Sequence, residues 1–170
     1  MSSTELRTQE NSPTITIRPI RLADADMEAD FVGRLSPASK HFRFLGGVRE
    51  LSPELLKTFC DVDGHHSMAF VATVLENGRE TEIGVCRYAP NSSADVREMA
   101  VTVADDWRQR GIGTRLMTRL IDHARENGVK RLYSVDLVDN APMRQLAEDI
   151  GMSIQRDPED ARQVIYTLAL

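Results

Sequence analysis

The chain has 170 residues and a mass of 19.1 kDa, with 41% hydrophobic and 28% charged side chains and a formal net charge of −5. These values predict one ordinary globular domain with a full core, and they exclude collagen-like and globally disordered classes. No apolar run approaches the roughly 18 residues that a membrane span needs, and residues 1–12 lack the apolar stretch of a signal peptide, so a cytoplasmic location without membrane attachment is expected. The sequence pI of about 5.4 argues against nucleic-acid binding. Cys60 and Cys86 are far apart and form no CxxC pair, so they are read as packed or free thiols rather than a disulfide framework or a zinc site.

Residues 1–13 are polar and end in Pro13, which predicts a mobile leader ahead of a domain over 14–170. Thr14, Ile15, Thr16 and Ile17 alternate as a half-buried strand does. Met27, Phe31 and Leu35 recur every four positions, predicting a helix over 24–35 that stops near Ser36 and Pro37. A short helix follows the Ser52 cap and Pro53, bearing Leu55, Leu56 and Phe59. The apolar run 68–75, the turn at Asn77 and Gly78, and the strand 81–88 form an antiparallel pair, which a third strand at 95–103 extends into a meander. On that third strand Val96, Glu98, Ala100 and Thr102 share one face. Helices at 113–127 and 141–150 then alternate with strands at 131–137 and 163–168, giving a mixed α/β domain whose second half contains a βαβ crossover.

Residues 104–114 carry the most chemistry. They lead into a helix whose stripe of Ile112, Leu116, Met117, Leu120, Ile121 and Ala124 is apolar and whose end is marked by Gly128. At its start Gly111 and Gly113 leave backbone N–H groups uncovered, and Arg108 and Arg110 flank them. Bare amides, the positive end of the helix dipole and two guanidinium groups together hold a phosphate. Residues 105–131 carry seven basic and four acidic side chains inside a chain of net charge −5, so the positive field is local. A tight turn is the plain alternative. No Gly-Lys-Ser/Thr closes a P-loop, and Leu116 stands where a dinucleotide fingerprint needs its third glycine.

The pattern Arg108-x-x-Gly111-x-Gly113 after an apolar strand, followed by an amphipathic helix, a strand and a second helix led by Asn140 and ending Ile150-Gly151-Met152, resembles the GNAT superfamily of N-acetyltransferases. The segments 35–44, 68–72 and 98–103 are more narrowly similar to the acetyltransferase domain of bacterial protein lysine acetyltransferases. The resemblance implies a GNAT-like mixed sheet with a splayed central strand pair and acetyl-CoA as co-substrate, with no metal. It further implies that Val101, Thr102 and Val103 pair with the pantetheine arm, and that Arg108, Gln109, Arg110, Gly111, Ile112, Gly113 and Thr114 hold the pyrophosphate. Asn140 would touch the cofactor, although Asn140 before Ala141 and Pro142 is also a good helix cap.

An amine acceptor with a pKa of about 10.4 is mostly protonated near neutrality, and only the free amine attacks a thioester, so a base is required. Glu98 is the candidate, and similar enzymes use a glutamate on this strand. The alternative is a solvated residue paired with Arg97 or Arg87. Many family members place a tyrosine acid seven residues after the position of Asn140; here that residue is Ala147, leaving Tyr133, Ser134 or water. His65 and His66 are read as a solvated turn rather than a metal site. His41, Arg43, Arg49 and the two histidines fall where acceptor-binding loops sit in similar folds. The resulting expectation is an acetyl-CoA-dependent N-acetyltransferase, monomeric or homodimeric, acting on a protein lysine or a small amine, with a non-catalytic acyl-CoA sensor as the alternative.

Overall fold

A computed structural model describes residues 12–45 and 51–170. Most of the expected leader, together with Arg49, lies outside the described residues. The strands are β1 (Thr16–Pro19), β2 (Met68–Glu76), β3 (Arg79–Pro90), β4 (Val96–Val103), β5 (Arg131–Leu137), β6 (Ser153–Arg156) and β7 (Gln163–Ala169). The helices are α1 (Ala25–Arg34), α2 (Pro37–Phe44), α3 (Pro53–Cys60), α4 (Ile112–Glu126) and α5 (Ala141–Asp149). The sheet order β1-β2-β3-β4-β5-β7-β6 is antiparallel except at the parallel β4–β5 pair, which joins the two halves of the mixed α/β fold.

Two elements differ from the sequence reading. Residues 37–44 form α2 rather than a loop, because Ser36, just past the Leu35 C-cap of α1, caps a new helix: its Oγ accepts from the Ser39 amide, with Pro37 in the first turn. Residues 153–156 form the short edge strand β6, antiparallel to β7. β1 starts at Thr16 instead of Thr14.

Each face of the sheet buries its own core. On one face Leu116, Met117, Leu120 and Ala124 of α4 pack on Phe70, Cys86, Tyr88 and Met99. That helix approaches closely at Gly84, where a Cβ would stand 3.1 Å from Leu116 Cδ1 and 3.2 Å from the Thr102 carbonyl oxygen. On the other face Phe31, Val32 and Leu35 cover Ala69, Val71 and Val85.

This second face also buries charge. Glu28 on α1 accepts from Arg87 Nη2 at 3.0 Å, and Arg87 Nη1 donates to the Phe59 carbonyl at 2.9 Å. Glu82 is fully buried beside Glu28, and that burial, reinforced by the neighbouring carboxylate, pushes its carboxyl well above the ordinary range. A proton on Glu82 can be donated to Glu28, which offsets part of the cost of burying both acids.

Because the Glu82 carboxyl is raised on folding, the folded state binds more protons than the unfolded chain above the ordinary glutamate pKa, and stability falls as pH rises through that window. Glu82→Gln keeps a donor and removes the titration. Thermal denaturation between pH 5 and 8 should show a flatter pH dependence for this variant, the maximal effect of one proton being about 1.4 kcal/mol per pH unit. An unchanged slope contradicts the assignment.

Candidate active site

The parallel ladder between β4 and β5 pairs Val96 with Arg131, Arg97 with Leu132 and Glu98 with Tyr133, and ends there. Both strands continue, β4 held by β3 as far as Val103 opposite Gly84, and β5 held by β7 as far as Leu137 opposite Gln163. The central strands therefore splay, leaving β4 beyond Glu98 without a partner on its β5 side. Alternate backbone N–H and C=O groups between Met99 and Val103 face the opening. A cavity of about 850 Å³ fills it, with Glu98 at the narrow end and the loop before α4 at the wide end.

That loop turns through a 3₁₀ segment at Asp105–Trp107 and two left-handed positions, Gln109 at φ 58° and Gly111 at φ 74°. No side chain among the described residues caps α4, so its first amides stay available to a ligand at the positive end of the helix. A Cβ on Gly113 would meet Leu146 and Val103 at 3.4 Å or more, an ordinary contact.

Asp105 fastens this loop to α2. Its carboxylate accepts from the Ser36 amide at 3.0 Å, the Ser36 hydroxyl at 2.8 Å and the Ser39 hydroxyl at 2.6 Å. Burial alone would raise this carboxyl, but the Ser36 amide, the two hydroxyls and Arg108 outweigh it and hold it below the ordinary range. Arg108 donates to Ser39 Oγ at 2.7 Å while bordering the cavity.

Val101, Thr102, Val103, Gln109, Gly111, Ile112, Gly113, Thr114 and Asn140 all border the cavity, as does Glu98. Arg110 is the exception: it does not line the cavity, its guanidinium carbon lying 4.6 Å over the Trp107 ring and its Nη2 donating to the Asp106 carbonyl. Asn140 caps α5, accepting from the Met143 amide at 3.2 Å, while its amide group donates to both oxygens of Asp136 at 3.1 Å. Its cap role is thus realised, and its side chain is committed on both ends. Burial raises the Asp136 carboxyl despite the Asn140 and Leu137 donors.

Glu98 is exposed at the narrow end, and neither arginine weighed as its partner engages it. Arg87 is bound to Glu28 and Phe59, and Arg97 donates to the Ala94 and Val96 carbonyls. Tyr133 fills the role instead: its hydroxyl lies 3.4 Å from Glu98 Oε2 and accepts from Asn91 Nδ2 at 3.0 Å. Burial and the Glu98 charge raise the Tyr133 phenol, keeping it a donor. The sequence reading offered Tyr133 as a candidate acid and as a strand residue but not as a partner of Glu98; the parallel register opposite Glu98 is what gives it this contact. Ala147 is buried and does not border the cavity, whereas Ser134 does. His65 and His66 sit on a turn organised by Asp63 and Asn127, off the cavity lining.

The GNAT acetyltransferase family model matches residues 39–152. An acetyltransferase of Pseudomonas aeruginosa is 49% identical over 156 residues, which cover 92% of this chain and 84% of that protein. The acetyltransferase Pat of Mycolicibacterium smegmatis is 31% identical over 136 residues, covering 79% of this chain; the match spans 40% of that longer protein. Among solved structures, the GNAT domain of S. lividans PAT is similar with a TM-score of 0.81 and 28% identity, covering 91% of this chain and 89% of that one. The chain belongs to the GNAT acetyltransferase family, whose members are acetyl-CoA-dependent N-acetyltransferases.

If the Tyr133 hydroxyl orients Glu98, then Tyr133→Phe should lower kcat by roughly threefold to tenfold, the worth of one ordinary hydrogen bond as befits a 3.4 Å contact, with little change in KM for acetyl-CoA. Steady-state kinetics with acetyl-CoA varied at saturating amine check this. A change confined to KM would contradict it.

Proposed function

We propose that this protein transfers the acetyl group of acetyl-CoA to a primary amine by direct attack, with Glu98 as the general base. The acceptor ammonium loses a proton to the Glu98 carboxylate, directly or through a water. The amine nitrogen then bonds to the carbonyl carbon as the carbon–sulfur bond breaks, the CoA thiolate leaves with the electron pair, and the second proton shed by the acylated nitrogen passes through water to that thiolate. With a thiol pKa of about 8.5, this leaving group needs little help from an acid, and water supplies its proton. The observation that carries this reading is Glu98 itself, an exposed carboxylate at the closed end of the strand gap that has no arginine partner among the described residues.

The remaining assignments follow the same geometry. Backbone groups of Val101 and Val103 pair with the amides of the pantetheine arm as an added strand would, and a β4 amide near Val101 or Thr102 steadies the oxyanion. The amides of residues 109–114, with Arg108, hold the pyrophosphate. Orphan donors at both the strand edge and the helix start fit these polar groups of acetyl-CoA. The proposed acceptor is a lysine side chain on a protein surface. The exposure of Glu98 supports it, since a folded protein presents its lysine at an open site, whereas a small amine favours an enclosed pocket.

Glu98→Gln should lower kcat by about 10²- to 10⁴-fold while leaving acetyl-CoA affinity intact, the signature of a lost general base. Equal loss of binding and turnover contradicts the base role, and an unaffected rate contradicts it outright. Mass spectrometry of products formed from lysate proteins and a panel of small amines reads the acceptor class.

A further inference from the structure

Resting on the transferase reading of the site, we propose that Arg43 binds a carboxylate on the acceptor, so that the preferred substrate is an amine carrying an acidic group close to the nitrogen that is acetylated. Two cationic side chains border the cavity among the described residues, Arg43 and Arg108. Arg108 lies at the phosphate end, 3.7 Å from Asp105 and bonded to Ser39. Arg43 is at the other end of α2. The first turn of that helix is tied to Asp105 through Ser36 and Ser39, and at 1.5 Å per residue Arg43 stands about 10 Å further along the axis. Its charge acts on Glu98, which borders the same cavity.

The Arg43 guanidinium carbon lies 5.1 Å from the centroid of the Phe44 ring and 5.4 Å from that of Phe59. Aromatic contact of this kind fixes a guanidinium plane and leaves its edge donors free. The other side of the story is Arg87, 4.3 Å from the same Phe59 centroid, whose donors are consumed by Glu28 and the Phe59 carbonyl. Among the described residues none accepts a hydrogen bond from Arg43 or lies within ion-pair distance of it. Burial against the rings and the repulsion of Arg87 lower the Arg43 pKa to about 10, which still leaves it charged near neutrality. A carboxylate beside it relieves that repulsion and takes two parallel N–H bonds.

The charge pattern selects the acceptor. Glu98 attracts an ammonium and Arg43 repels one, so an amine without an anion meets opposing fields, whereas an amine with a nearby carboxylate matches both. The carboxylate has two sources of the same chemistry: an aspartate or glutamate adjacent to a lysine in a protein, or the α-carboxylate of a free amino acid.

Matched acceptors distinguish them. Lysine pentapeptides with glutamate neighbours are compared with the same peptides bearing glutamine, and free amino acids with their amides, measuring kcat/KM on the full chain. The acidic member of one pair should be favoured by roughly tenfold, the worth of a hydrogen-bonded charge. That ratio should collapse to within about twofold in Arg43→Gln, and Arg43→Lys should restore part of it. Preference within the peptide pair identifies a side-chain carboxylate, and preference within the amino-acid pair an α-carboxylate. Acetyl-CoA affinity, measured on each variant, reports an intact cavity. Equal rates for acidic and neutral acceptors in the unmodified protein, or a preference that survives Arg43→Gln, overturns the proposal. Failure of the unmodified protein to acetylate any acceptor overturns the transferase reading, and the Arg43 subsite with it.

Discussion

The parting of β4 from β5 after three paired residues is the constraint on which everything else in this molecule depends. In a closed sheet the N–H and C=O groups of Met99 to Val103 would be satisfied by β5. Here they face a cavity, and a buried unpaired backbone group is costly enough that something must pair with them. Each strand is locked on its outer side, by β3 and β7, so the gap cannot zip shut without breaking those ladders. A preformed slot of this kind selects an extended ligand that carries amides, and it brings the ligand's reactive end to the point where the strands rejoin. Glu98 and Tyr133 are the last residues to pair, which puts the proposed base at that junction.

The wide end of the slot depends on a second arrangement. The backbone turns through left-handed Gln109 and Gly111 to start α4 without a side-chain cap, while Asp105 gathers Ser36, Ser39 and Arg108 around itself. One carboxylate thus couples the phosphate loop to α2, the helix that carries Arg43. The proposed cofactor and acceptor regions are thereby joined through hydrogen bonds at Asp105 as well as through the sheet.

Much of this was legible in the sequence where a local signal existed. The glycines and apolar stripe of α4, the meander and the crossover follow from periodicity and turn chemistry, whereas Glu98 was singled out as a base through the family resemblance. Residues 37–44 form a helix that the sequence reading did not place, even though Ser36 and Pro37 repeat the cap-and-proline signal read at Ser52 and Pro53; a cap that follows a helix end by a single residue reads as a stop alone. β6 has four residues at a sheet edge and too short a pattern to register. Other features were beyond any local reading. The Glu28, Arg87 and Glu82 cluster draws on α1 and β3, elements distant in the chain, and Tyr133 gains its role from a parallel register. The stacking of the Arg110 guanidinium on Trp107 likewise has no local sequence signal.

A crystal structure of the protein with CoA bound tests the central claim most directly. The account predicts pantetheine amides hydrogen-bonded to the β4 backbone between Met99 and Val103, the pyrophosphate on the amides of residues 109–114, and the sulfur near the junction of β4 and β5 beside Glu98. CoA bound elsewhere, or a sheet in which β4 and β5 pair beyond Glu98 with no ligand between them, would contradict it.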